Sequence, residues 1–125
     1  MSKPILLDSN IIIYSGLSAH NELRQWLKLK DIAVSLISKL EVLGYHSLIE
    51  KDKIYFETFF RKCRLIEIDS AIIDSAINLK QLKSMSLGDS IVAATAMQYN
   101  FSLVTANDKD FKQIEKLKLI NPLAL

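Results

Sequence analysis

The sequence predicts a layered α/β fold built on a mainly parallel sheet, and three observations carry that prediction. Short apolar runs alternate with longer segments whose apolar residues recur at helical spacing, the pattern of strand–helix–strand units. The runs are nearly continuous in apolar residues, as strands covered on both faces are. No low-complexity segment, charge block or repeat interrupts the 125 residues, so one domain over 1–125 is expected.

The elements follow in order. Pro4 is tolerated at the start of a strand and opens the first one, which runs over 5–8 within the apolar stretch "PILLDSNIIIY". A helix over 21–30 carries Leu23, Trp26 and Leu27 as one apolar stripe. "DIAVS" (31–35) reads as a second strand and "LISKLEVLGYHSLI" (36–49) as a helix. "KIYFETFFRKC" (53–63) is a further helix whose Tyr55, Phe56, Phe59 and Phe60 are more aromatic surface than one helix normally buries. It serves either as a thick core helix or as a protein-contact surface. "RLIEID" (64–69) alternates as a strand does, and Asp69 is placed to cap a helix over 70–83. The helix "SLGDSIVAATAMQYN" (86–100) is apolar nearly all round and therefore buried. "SLVTAN" (102–107) and "LKLINP" (117–122) supply the last strands. In such sheets ligands bind beyond the carboxyl ends of the strands, where strand order reverses. Asp8 and the "TANDKD" segment both occupy such ends.

Composition excludes several classes. Sixteen Lys and Arg against 14 Asp and Glu give a net charge of +2, too balanced to announce a nucleic-acid binder through charge alone. The lone Cys63 has no disulfide partner within the chain and reads as a packing residue in a reducing cytoplasm. The first ten residues lack the features of a signal peptide. No apolar run approaches the ~18 residues that span a bilayer, so no membrane role is expected. His20 and His46 have no metal-binding spacing and read as surface residues. Gly16, Gly44 and Gly88 are scattered singly, which argues against a dinucleotide-binding loop.

The acids carry the chemistry. An unpartnered buried carboxylate costs several kcal/mol, yet Asp8 closes an apolar strand. It either caps the turn that follows or serves a site. Glu41 falls angularly between Tyr45 and Leu48, inside the apolar arc of its helix, where a carboxylate needs a partner. Asp89 follows Ser86 in a capping-box pattern, at the end of the helix that favours an anion, so capping and ion binding are both open to it. Asn107, Asp108 and Asp110 crowd the loop after a strand whose end is expected to face the same crevice as Asp8. Two carboxylates about 4 Å apart repel by roughly 4 kcal/mol at an effective dielectric of ~20. Three or four converging require protonation or a cation. All the donors are hard, which selects Mg²⁺ or Mn²⁺ over zinc.

Asp8-Ser9-Asn10 after an apolar strand, Glu41 in "VSLISKLE", "LGDSIVAATA" and "LVTANDKDF" together resemble the PIN-domain ribonucleases, above all the VapC-type toxins of bacterial toxin–antitoxin pairs. The likeness runs from residue 5 to about 122 with the four motifs in the family's order. It implies a three-layer fold with about five parallel strands flanked by helices. It also implies an acidic cluster that binds Mg²⁺ or Mn²⁺ and hydrolyses RNA phosphodiesters. Asp8, Glu41 and Asp89 match the family's first three acids. The fourth falls on Asn107 when aligned forward from Thr105 and on Asp108 when aligned backward from "DKDF", with Asp110 as a substitute. Thr105 and Asn10 match the polar residues that support the cluster. The implied partners are an antitoxin protein and a second copy of the chain.

On this reading a divalent ion activates water for in-line attack on phosphorus. Lys39, Lys83, Lys109 and Lys112 are the cations available to line the rim for RNA. A haloacid-dehalogenase-type phosphatase needs a second Asp where Asn10 stands, and a response-regulator receiver needs adjacent acids before Asp8. The rival left standing is a PIN-like module that binds protein or RNA without catalysis, which Asn107 keeps open.

Overall fold

The computed structural model describes residues 3–124. The strands are β1 (Ile5–Leu7), β2 (Ile32–Ser35), β3 (Arg64–Ile66), β4 (Ser102–Val104) and β5 (Leu119–Ile120). They form one sheet in the order β3-β2-β1-β4-β5, with every pairing parallel. The helices are α1 (Ser9–Ser15), α2 (Asn21–Lys28), α3 (Leu36–Leu43), α4 (Glu50–Arg61), α5 (Ser70–Leu82), α6 (Leu87–Tyr99) and α7 (Asp108–Phe111), with a 3-10 turn at Ser18–His20. The expected parallel sheet between helices is present, with five strands.

Register decides which side chains face which layer. Leu6 lies opposite Ala33 and Leu103, and these three pack with Ile72, Ala76 and Ile91 under α5 and α6. Leu7 lies opposite Val104, and with Ile5 and Val34 they face the other way, against Ile11, Leu27, Val42 and Phe60 of α1 to α4. Alternation along each strand thus builds two cores, and the strands are buried on both faces as the apolar runs require. α6 is buried from Ser90 to Ala96 because α5 covers one side and the sheet another, which accounts for its all-round apolar sequence.

Several elements differ from the sequence reading. Residues 9–20, to which the sequence reading assigns no element, open with the helix α1: three consecutive Ile favour a strand, but Asp8 caps the turn by accepting from Ser9 N, and Ile11 and Ile12 are fully buried. The helix expected over 36–49 stops at Leu43, where Gly44 N donates to Leu40 O. The next helix begins at Glu50 rather than residue 53, and β3 spans three residues rather than six. Asp69 caps α5 as expected, accepting from Ile72 N at 2.9 Å. Of the α4 aromatics, Phe56 and Phe60 are core while Tyr55 and Phe59 are half-buried. The Cys63 thiol donates to Phe59 O, and burial pushes its pKa up to about 11, an inert packing role.

Candidate active site at the carboxyl ends of β1 and β4

From β1 the chain builds outward through β2 and β3 on one side, and through β4 and β5 on the other. Strand order therefore reverses between β1 and β4, and their carboxyl ends flank the crevice such sheets use for ligands. Asp8 stands in that gap. Its backbone N donates to Val104 O at 2.9 Å, extending the ladder by one residue. Its side chain is 6% exposed, and both carboxylate oxygens are held. Oδ1 accepts from Ser9 N and Oδ2 from Thr105 Oγ1, each at 2.8 Å. Thr105 is fully buried, and its hydroxyl also accepts from Asn107 N at 3.0 Å. Burial raises the Asp8 pKa, and the charges of Asp89 and Glu41 raise it further, against the lowering pull of the Thr105 and Ser9 bonds.

Asp89 is half-buried in the first turn of α6, where the Ser86 hydroxyl accepts from its backbone N at 3.1 Å. It is thus part of the cap and also faces the crevice. Burial raises its pKa, the nearby Asp110 and then Glu41 add to the rise, and Ser86 and Lys83 oppose it.

Glu41 corrects the sequence reading. The side chain expected on a buried arc is exposed, because that arc counted Tyr45 and Leu48, which lie beyond the end of α3 at Leu43. Ser38 and Val42 face the core instead. The Glu41 carboxylate still reaches the crevice, where Oε1 accepts from the Ser9 hydroxyl at 2.8 Å. Ser9 therefore touches two acids, Asp8 through its amide and Glu41 through its hydroxyl.

The loop after β4 sorts its three candidates. Asn107 Nδ2 donates to Asp110 Oδ2, and Lys83 Nζ donates to Asp110 O at 2.8 Å. Asp110 acts electrostatically on Asp89. Asp108 faces elsewhere, its Oδ1 accepting from Asn121 Nδ2 at 3.0 Å. A continuous run of hydrogen bonds thus links Asp8 through Thr105 and Asn107 to Asp110. Asn10 is exposed on α1, and among the described residues no hydrogen bond joins it to the acids. Lys83 is the rim cation whose charge reaches Asp89. Lys39 is half-buried on α3, and Lys109 and Lys112 are exposed on and just after α7.

The sequence reading passed over Ser9 and Gly88 as parts of the site. Ser9 was legible only as a capping residue, and Gly88 only as a gap in the capping box. Their contacts with Glu41 are tertiary.

In donor chemistry the group fits a hard divalent cation: oxygen throughout, with negative charge that the protein's own cations leave largely unbalanced. Among the described residues no three acidic, His or Cys side chains stand close enough together to hold an ion between them as they are. Glu41 is drawn toward Ser9 and Asp110 toward Asn107.

Comparison with known proteins agrees with this geometry. A family model described as PIN domain matches residues 5–117. Among solved structures, the chain is similar to one in a toxin–antitoxin complex from Klebsiella pneumoniae, at 29% identity and a TM-score of 0.78, covering 94% of this chain and 97% of that one. It is similar in fold to one in VapBC2 from Rickettsia felis bound to promoter DNA, at 23% identity and a TM-score of 0.83, covering 95% and 98%. A third likeness is to a chain of DNA-bound VapBC from Salmonella typhimurium, at 17% identity and a TM-score of 0.84, covering 97% and 99%. No curated protein matches the sequence. With the family model spanning nearly the whole chain and the acids gathered at the switch point of a five-stranded parallel sheet, this chain belongs to the PIN-domain family.

Proposed function

We propose that the chain is a VapC-type toxin, a Mg²⁺- or Mn²⁺-dependent endoribonuclease restrained by a cognate antitoxin and acting in the cytoplasm. One observation carries the reading. Asp8, Glu41, Asp89 and Asp110, far apart in sequence, meet at the β1–β4 crevice: Ser9 touches both Asp8 and Glu41, Glu41 lies against Gly88 beside Asp89, and the charges of Glu41 and Asp110 bear on Asp89. The likeness to chains of toxin–antitoxin complexes supports the same reading. Asp8 and Asp89 would hold the ion, with Glu41 beside them and Asp110 at the fourth position. Bound there, a divalent ion supplies neutralising charge and a water acidic enough to attack phosphorus at neutral pH.

The chain's own residues prepare that site. Thr105 and Ser9 fix both oxygens of Asp8 so that its carboxylate keeps one orientation. Ser86 fixes the turn that carries Asp89. Lys83 ties α7 to the end of α5, which holds Asp110 near Asp89 and leaves a cation at the rim for an RNA phosphate.

Antitoxin binding has its own support. A groove of about 600 Å³ runs between α2, the start of β2 and α4. Leu27, Tyr55 and Phe59 form its apolar wall and Lys28, Lys30 and Lys62 its basic edge. The charge of Asp31, which also lines it, is already matched by Arg64 at 2.9 Å. For a second copy of the chain, the exposed Leu40 and Leu87 lie on the neighbouring helices α3 and α6. No helix among the described residues is long and apolar enough to cross a membrane.

The test is cleavage of RNA by the purified chain with Mg²⁺ or Mn²⁺, with chelator, and with Asp8→Asn. Cleavage should require the metal and disappear in the variant; undiminished metal-dependent cleavage by Asp8→Asn overturns the reading. Asn107, which takes the place of the family's fourth acid when the motif is aligned forward from Thr105, favours a second reading in which the fold binds without catalysing. Calorimetric titration with Mn²⁺ separates the two, because the idle module gives no heat that Asp8→Ala removes.

A further inference from the structure

We infer that Gly88 and Ser9 together position the Glu41 carboxylate: Ser9 holds it by a hydrogen bond, and the missing side chain at Gly88 leaves the space it occupies. A Cβ at residue 88 would lie 2.6 Å from Glu41 Oε2 and 3.1 Å from both Cδ and Oε1. Real Cβ atoms essentially never come as close as the 2.6 Å to Oε2, so any other residue there obliges the carboxylate to shift. The backbone gives no competing reason for this glycine, since its φ is not positive and it lies inside the first turn of α6, where glycine is a poor helix former. The atoms a Cβ would meet are the end of a flexible exposed side chain, so the fold can yield there, while the Glu41 position cannot be kept. On the opposite side, the Ser9 hydroxyl donates to Oε1 at 2.8 Å. Glu41 is thereby held between the first turn of α1, which Asp8 caps, and the first turn of α6, which carries Asp89. Each neighbour of a crevice acid in sequence thus fixes a third acid from α3. Without that seat an exposed Glu would sample many rotamers at little cost.

This inference rests on the proposed function for its consequence and on the geometry alone for its mechanism, and the experiment separates them. Gly88→Ala, Ser9→Ala, Ser9→Thr and the Gly88→Ala/Ser9→Ala double variant are prepared. Urea unfolding is followed with chelator present, and Mn²⁺ affinity and RNA cleavage are then measured. Gly88→Ala should unfold at or above the wild-type midpoint, because it replaces a helical glycine. It should nevertheless bind Mn²⁺ about 10- to 100-fold more weakly, the usual loss when a group supporting a metal-binding side chain is removed. Cleavage should fall with it. Ser9→Ala should do the same and Ser9→Thr, which keeps the hydroxyl, should recover most of the loss. In metal-free protein, Ser9→Ala should lower the midpoint when residue 88 is Gly and not when it is Ala, since displaced Glu41 no longer meets Ser9. Wild-type Mn²⁺ affinity in Gly88→Ala, or an equal cost of Ser9→Ala in both backgrounds, overturns the inference. If the wild-type chain itself binds no Mn²⁺, the proposed function fails, and the metal-free coupling between residues 9 and 88 still decides the positioning.

Discussion

Thr105→Val removes one hydroxyl from the centre of the site while keeping the side chain's shape. That hydroxyl is fully buried, donates to Asp8 Oδ2 at 2.8 Å and accepts from Asn107 N at 3.0 Å. A buried hydrogen bond to a charged group contributes about 1.5–3 kcal/mol, and the neutral bond to Asn107 N about 0.5–1.5 kcal/mol. The loss should therefore be about 2–4.5 kcal/mol, a large share of the ~5–15 kcal/mol typical of a domain. With a urea slope of about 1.5 kcal/mol/M, the unfolding midpoint should fall by roughly 1.3–3 M with the slope unchanged. The Thr105 bond also lowers the Asp8 pKa, so the variant's Asp8 titrates higher than the wild type's. Below the ordinary carboxylate value of 3.8 Asp8 is protonated, the bond is no longer charge-assisted, and the deficit should shrink to about 1–3 kcal/mol, the sum of two neutral bonds. Thr105→Ser should retain most of the stability. The assay is urea unfolding in chelator at acid and neutral pH. A variant as stable as wild type at pH 7, or one with the same deficit at both pH values, would refute the reasoning.

Three further outcomes follow from the same geometry. Asp8 and Asp89 both have raised pKa values, so the stability they allow the metal-free protein is full below about 3.8 and is lost as pH rises through their raised values; thermal unfolding in chelator should show Asp8→Asn gaining on wild type between acid and neutral pH, and a gap that stays flat contradicts the assignment. Asn107→Asp replaces the donor to Asp110 with a like charge; it should cost about 0.5–1 kcal/mol without metal, both side chains being exposed. The same variant should bind Mn²⁺ more tightly in calorimetry, and unchanged affinity would remove residue 107 from the site. Ser38 has a buried hydroxyl with no hydrogen-bond partner among the described residues, so Ser38→Ala should raise stability by about 1 kcal/mol in urea unfolding.

How far the sequence reaches can be followed acid by acid. Asp69 and Ser86 act as caps where local spacing placed them, because a cap depends on three or four consecutive residues. The burial of α6 followed from its composition alone. Glu41 went wrong because its arc depended on how far α3 extends, which the end of the helix at Leu43 decides. The helix α1 was hidden for a related reason. Three consecutive Ile favour a strand, and only the cap by Asp8 and the burial of Ile11 and Ile12 against β1 and its neighbours make them helical.

The sequence by itself determined the class of fold, the order of its five strands and the presence of acids at strand and helix ends, since these rest on periodicity and capping among near neighbours. The tertiary structure decided which of those acids share a charge environment. Asp110 rather than Asp108 faces Asp89, and Glu41 rests between Ser9 and Gly88. Those pairings join residues separated by tens of positions, and they arise only when parallel register brings the ends of β1 and β4 together.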